Sequence, residues 1–256
     1  MSEYRGRFLW LELMTTDVDA ARAFYTEALG WGTQTMEGSG PPYPMFTAAS
    51  GPVAGAWALS DEERAQGVPA HWRAYIGTPD VDGVTQKAVD AGGRVLMKPM
   101  DVPKIGRMSV VTDPHGAAFG PYTPHEWPAT PLAPAKVGEF SWHELMSGSF
   151  DEAWKLYQSL FGWNETSTHD MGPMGTYHLF GIGDHVLGGM MTKPGDMPMA
   201  AWLHYVHVSD INAAAERVKA NGGQILFGPH PVPGGDLIAH CMDPQGAMFA
   251  LHASKQ

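Results

Sequence analysis

Residues 8–31, FLWLELMTTDVDAARAFYTEALGW, return at residues 140–163 as FSWHELMSGSFDEAWKLYQSLFGW, with ten of the 24 positions identical and no gap. Self-similarity over so long a period marks a fused duplication, not a solenoid. Working outward, Tyr43–Trp57 runs beside Tyr177–Met191 and shares Tyr43/Tyr177, Phe46/Phe180 and Gly55/Gly189. His71–Tyr122 pairs with Ala201–His252 over 52 ungapped positions, fourteen of them identical. The offset drifts only between 130 and 134, so the length changes fall in loops. Between the copies, Thr123–Val137 carries four prolines and suits a stiff extended linker. The expected organisation is a domain over 5–124, a Pro-rich linker over 125–136 and a second domain over 137–254.

The opening stretch predicts its own local structure. Phe8–Met14 alternates in the strand sense, with Leu9, Leu11 and Leu13 on one face and Trp10, Glu12 and Met14 on the other. Asp17 or Asp19 can cap the helix that follows, whose apolar stripe is Ala21, Phe24, Tyr25 and Ala28, and Gly30 is placed to end it. The second copy repeats this with Asp151, Ala153, Leu156, Tyr157, Leu160 and Gly162. Strands are expected at Tyr43–Ala48 and Val53–Ala58. A similar unit then restarts with strand Trp72–Thr78, helix Asp80–Ala91 and short strands at about 94–97, 107–112 and 117–122. Asp113-Pro114-x-Gly116 and Asp243-Pro244-x-Gly246 fit type I turns. The fold class is α+β: two tandem domains, each of paired β-α-β-β-β modules whose helices cover one face of a curved mixed sheet and leave the other as a cavity wall.

Composition excludes several function classes. The 256 residues carry a formal net charge of −11, and sixteen Lys and Arg are scattered without a run, which argues against a nucleic-acid partner. No apolar stretch approaches the ~18–20 residues that span a bilayer, so a cytoplasmic protein without a membrane partner is expected. Cys241 is the sole cysteine, which rules out an intrachain disulfide and a thiolate cluster and reads as a buried strand residue.

The Asp-started helix bearing an aromatic or Leu before Tyr, the Gly-Trp after it and the closing Asp-Pro-x-Gly together resemble the vicinal oxygen chelate, or glyoxalase-like, superfamily, across nearly the whole chain. The pattern is similar to tandem-domain proteins known only as glyoxalase-related. The resemblance implies a divalent metal held by His, Gln or Glu on the first and last strands of each module. Those positions hold Trp10, Arg73 and Gly120 in one copy and Trp142, Leu203 and Ala250 in the other, and Gly55–Trp57 and Gly189–Met191 offer no donor either. Metal sites in this fold need imidazole and carboxylate, so no metal and no cofactor is expected.

Glu12 and Glu144 follow the two tryptophans on the expected cavity face, where partial desolvation would suit a general base. A structural carboxylate bonded to backbone or to Arg73 is the other reading. Nine of the twelve histidines lie in the second copy. By alternation His207 and His252 face its cavity, and His143 and His204 point toward the helices. His207 with Glu144 could form an acid/base pair, or an unorthodox metal site if His252 joins them; hydrogen-bonded structural histidines are the alternative. Tyr75 and Tyr205 could orient a carbonyl or phenol. Nine tryptophans and sixteen methionines, with Trp10, Trp142 and Met146 on these faces, would make flat, adaptable walls. No Ser/His/Asp nucleophile arrangement is suggested. The expected site is therefore Glu144, His207 and Glu12 for proton transfer, with Trp10, Arg73, Tyr75, Trp142, Met146, Tyr205 and His252 for binding. The ligand would be a small aromatic or carbonyl-containing metabolite, and the protein a monomer or homodimer. Binding is the expected role, with any conversion by acid/base chemistry of a lyase or isomerase type; a sequestering protein and a metal enzyme with displaced ligands are the alternatives.

Overall fold

The computed structural model describes residues 3–37, 42–126 and 132–255, so the linker expected over 125–136 lies partly outside the described residues. The first copy runs β1 (Phe8–Thr15), α1 (Val18–Leu29), β2 (Gly32–Met36), β3 (Tyr43–Ala48), β4 (Gly51–Ala58), α2 (Asp61–Ala65), β5 (His71–Gly77), α3 (Val81–Asp90), β6 (Val95–Val102), β7 (Gly106–Thr112) and β8 (Ala118–Pro124). The second runs β9 (Phe140–Ser147), α4 (Phe150–Phe161), β10 (Asn164–Asp170), β11 (Thr176–Ile182), β12 (His185–Thr192), β13 (Ala201–His207), α5 (Ile211–Ala220), β14 (Gln224–Pro231), β15 (Leu237–Met242) and β16 (Met248–Ala253). Each copy forms an open, mixed eight-stranded sheet, in the orders β2-β3-β4-β1-β5-β8-β7-β6 and β10-β11-β12-β9-β13-β16-β15-β14. No described helix is long and apolar enough to cross a membrane.

Helix starts follow capping chemistry. Asp17, not Asp19, caps α1 by accepting the Ala20 amide, and Gly30 closes it in the left-handed conformation at φ 71°. The second copy departs from expectation, since Ser149 and not Asp151 caps α4. Ser149 is the residue whose Oγ reaches the Glu152 amide three positions on, which leaves Asp151 as an acid of the first turn. Strand β2 escaped the alternation test because all five of its side chains are exposed, which gives no apolar period to read.

The chain gathers into two compact units whose boundaries do not follow the repeat. One comprises Met1–Leu9, Arg73–Ala133 and His143–Trp202; the other comprises Trp10–Trp72, Pro134–Trp142 and Leu203–Gln256. The repeated motifs explain how modules from different copies join within a unit. In one, the Tyr25 hydroxyl donates to Asp243 Oδ2 at 3.0 Å and Trp72 Nε1 donates to Tyr25 at 2.9 Å. The free oxygen, Asp243 Oδ1, accepts the amides of Gln245 and Ala247 and so shapes the Asp-Pro-x-Gly turn. The other unit repeats this with Tyr157, Asp113 and Trp202, and with the amides of His115 and Ala117. Burial pushes both carboxyls and both phenols above their ordinary pKa values. The two Gly-Trp indoles serve the same joining role, with Trp31 Nε1 donating to Gly138 O at 2.8 Å and Trp163 Nε1 to Gly6 O at 2.7 Å. Around these bonds the cores are ring-rich, with Phe24, Phe46 and Phe249 about Tyr25 and Phe119, Phe161 and Trp202 about Tyr157.

Candidate functional site

In the unit that holds Trp10–Trp72, β1 pairs in parallel with β4 so that Glu12 lies opposite Gly55. Gly55 gives up its side chain to a ring. A Cβ there would meet the Tyr43 hydroxyl at 1.8 Å, so only glycine lets the phenol lie across the strand. From that seat Tyr43 donates to Glu12 Oε1 at 2.8 Å and accepts from Trp10 Nε1 at 2.9 Å. Trp57, two residues beyond Gly55, is 39% exposed and stands 5.9 Å from the Tyr43 ring, so the pair is flanked by an open indole face.

The other unit builds the same device. Glu144 lies opposite Gly189 in the β9–β12 register, a Cβ on Gly189 would meet the Tyr177 ring at 2.1 Å, and the Tyr177 hydroxyl donates to Glu144 Oε2 at 2.9 Å. Here enclosure is greater. Glu144 is 7% exposed, and the counterpart of Trp57 is Met191, at 3%. Sequence reasoning singled out the glutamates and missed Tyr43 and Tyr177, although both were already visible as shared positions beside the shared glycines.

The remaining candidates divide between the units. Tyr75 is buried and lies over Gly120, where a Cβ would meet its ring at 2.3 Å; Arg73 stacks 5.6 Å from the Tyr75 centroid. Met146 is half-buried on β9, as is Trp142. In the unit that holds Leu203–Gln256, Tyr205 is bonded to His240 Nε2 at 2.9 Å; burial lowers the pKa of that imidazole. His207 and His252 stack at 5.3 Å. His143 packs against Phe8 at 3.6 Å, and His204 is fully buried, its pKa lowered to about 3 by desolvation. Cys241 is buried as well, which raises its pKa to about 12.

The residues do not fit the divalent ion that the fold implies. Trp10 offers an N–H donor already committed to Tyr43, and Gly55, Gly189 and Gly120 sit under tyrosine rings. Among the described residues no three His, Cys, Asp or Glu side chains gather into a metal-holding group. The set Glu144, His207 and His252 is corrected accordingly. The two ring nitrogens of His252 bond Ser141 and Asp236, those of His207 bond Ala135 O and Ser254 Oγ, and Glu144 takes its bond from Tyr177. The sequence suggested no Ser/His/Asp nucleophile arrangement; the structure brings Ser141, His252 and Asp236 into a hydrogen-bonded series. Away from these residues, a shallow depression of about 280 Å³ lies beside Asp19, Arg22, Thr26 and Glu27 on α1 and contains none of the candidates.

Compared with known proteins, residues 7–120 and 139–251 each match the Glyoxalase/Bleomycin resistance protein/Dioxygenase superfamily. The chain is 35% identical over 253 residues to CFP32 of Mycobacterium tuberculosis, a protein provisionally named a glyoxylase, covering 98% of this chain and 96% of that one. It is 30% identical over 264 residues to the anthracycline biosynthesis protein DnrV of Streptomyces peucetius, covering 96% and 92%. Among solved structures, the Mn(II)-bound glyoxalase of Novosphingobium aromaticivorans aligns with a TM-score of 0.61 at 16% identity over 99% of this chain and 83% of that one, a likeness of fold.

Proposed function

Because this chain belongs to the glyoxalase, bleomycin-resistance and dioxygenase superfamily, we propose that it binds a small aromatic or carbonyl-containing metabolite against its Tyr–Glu pairs without a metal, and that Glu144 carries proton transfer of a lyase or isomerase type. One observation carries the reading. In both copies a tyrosine hydroxyl is held on a strand carboxylate over a glycine that has no side chain of its own. A carboxylate can take a proton from a carbon acid or hydroxyl, and a phenol beside it can return one or hold a developing oxyanion. The second copy is the stronger candidate, since its carboxylate is the more enclosed. Flat rings at Trp10, Tyr43 and Trp57 suit a planar ligand in the first. Tyr205, His207 and His252 are assigned to ligand contact only within their own unit, the one that holds Leu203–Gln256, and not to the Glu144 pair. The relatives named for glyoxylase activity and for anthracycline biosynthesis fit substrates of carbonyl and polycyclic aromatic character.

The test is a panel of hydroxylated aromatic ketones and 2-oxoaldehydes read by tryptophan fluorescence and by product analysis. Saturable binding that persists in chelator is expected. Gly189→Ala, which drives a methyl into the Tyr177 ring, weakens it, and Glu144→Gln keeps binding but loses turnover. Binding that appears only with added Mn, Fe, Ni or Zn defeats the metal-free reading, and full turnover in Glu144→Gln defeats the role of the carboxylate.

A further inference from the structure

Within the unit that holds Leu203–Gln256, three side chains far apart in sequence form an unbroken hydrogen-bonded series. Ser141 Oγ lies 2.9 Å from His252 Nδ1, and His252 Nε2 lies 3.1 Å from Asp236 Oδ2. The second carboxylate oxygen accepts the Lys255 amide at 2.8 Å, which fixes the plane of the group. Burial alone would raise the Asp236 pKa; the Lys255 amide and the imidazoles of His252 and His207 outweigh it and hold the carboxyl below its usual value. An ionised carboxylate can only accept, so Nε2 carries the ring proton and Nδ1 is left to accept from the serine hydroxyl. The alternative acceptor for that hydroxyl, the Tyr205 carbonyl, is farther away at 3.4 Å.

The fold does not require this trio. At the matching positions the first copy holds Leu9, Gly106 and Tyr122, and the same strands form around them. Nor is it sealed off, since Ser141 is half-buried and the side chains of His252 and Asp236 are 20% and 41% exposed. Rings stand beside it, with His207 stacked on His252 and His240 bonded to Tyr205.

We propose that Ser141 is a nucleophile with His252 as its base and Asp236 positioning the imidazole, acting on small aryl esters. The Ser141 oxygen adds to the ester carbonyl carbon as its proton passes to His252 Nδ1. The bond to the aryl oxygen breaks, and the phenol leaves with that proton. Water then attacks the acyl-serine with His252 taking and returning its proton, which releases the carboxylic acid and restores Ser141. Aryl esters fit because a phenolate leaves readily and asks less of oxyanion stabilisation than an alkoxide does. Roles and geometry, not chain order, define such a relay, and here Nδ1 rather than Nε2 faces the serine.

The centre is independent of the Tyr–Glu pairs and is tested on the full chain with a fluorophosphonate probe and with 4-nitrophenyl acetate. A single adduct mapping to Ser141 is expected, absent in Ser141→Ala. Its rate should fall about 100-fold in His252→Ala, and fall in Asp236→Asn with partial recovery in Asp236→Glu. Circular dichroism establishes that each variant is folded. Ser141→Cys keeps the shape and should be alkylated by iodoacetamide in the native protein, at a rate that also drops when His252 is removed. No adduct on the parent protein, an adduct that survives Ser141→Ala, or rates indifferent to His252 would each overturn the proposal.

Discussion

Tyr25 meets Asp243 in one compact unit as Tyr157 meets Asp113 in the other, with the same indole behind each phenol, whereas the last strands of the two copies have parted. Tyr122 in β8 donates to the Ile105 carbonyl, while its counterpart His252 in β16 sits between a serine and an aspartate. Where both copies keep a residue, as at these turns, its bonds satisfy buried groups that any version of the fold must satisfy. Where they differ, packing has tolerated the change, and the side chain is available for chemistry. The Tyr–Glu pairs fall between these cases, shared in both copies yet set in different surroundings, with exposed Trp57 beside one and buried Met191 beside the other.

The comparison breaks most readily at the turns. Asp243→Ala strands two amides and the Tyr25 hydroxyl and should cost about 3 kcal/mol in urea unfolding, since each buried unsatisfied group costs about 1 kcal/mol or more. Asp113→Ala should cost somewhat less, because the Tyr157 contact is longer at 3.4 Å. Equal, negligible losses would show that the turns do not hold the modules together.

The next effect is the pH dependence that His204 adds to the second copy. His204 is neutral in the folded protein down to its lowered pKa of about 3 and takes up a proton near the ordinary value of 6.5 once unfolded. Its contribution is therefore complete above pH 6.5 and is lost as pH falls toward 3, by about 1.4 kcal/mol per unit, or about 2 kcal/mol at pH 5. His204→Ala, which installs the first copy's Ala74, should lower stability at pH 7 but flatten the slope between pH 7 and 5. An unchanged slope would place the acid sensitivity elsewhere.

Smallest is the contrast between the tyrosines. Tyr177→Phe should cost about 1.5 kcal/mol because it leaves the buried Glu144 short of a donor, and Tyr43→Phe about 0.5 kcal/mol because Glu12 is half-buried and can turn to water. Equal losses would mean that the two surroundings do not differ in the way their exposures indicate.

Much of this molecule was legible along the chain. The duplication, the alternation of β1 and β9, the capping aspartates of α1, α3 and α5 and the Asp-Pro-x-Gly turns are local patterns, each fixed by residues within a few positions of one another. The face on which the candidate glutamates lie was legible for the same reason, since alternation assigns a side chain to a face. Alternation does not say which distant residues share that face. Tyr43 on Glu12, Tyr25 on Asp243 and Ser141 on His252 are set by strand order and register, and span 31, 218 and 111 positions. Even the compact units, each drawing a module from both copies, answer to how apolar faces are buried and not to where the repeat begins. Sequence determined the elements and the sidedness of their residues because those follow from backbone geometry; the tertiary structure alone decided the partners, because hydrogen bonds across a sheet depend on which strands become neighbours.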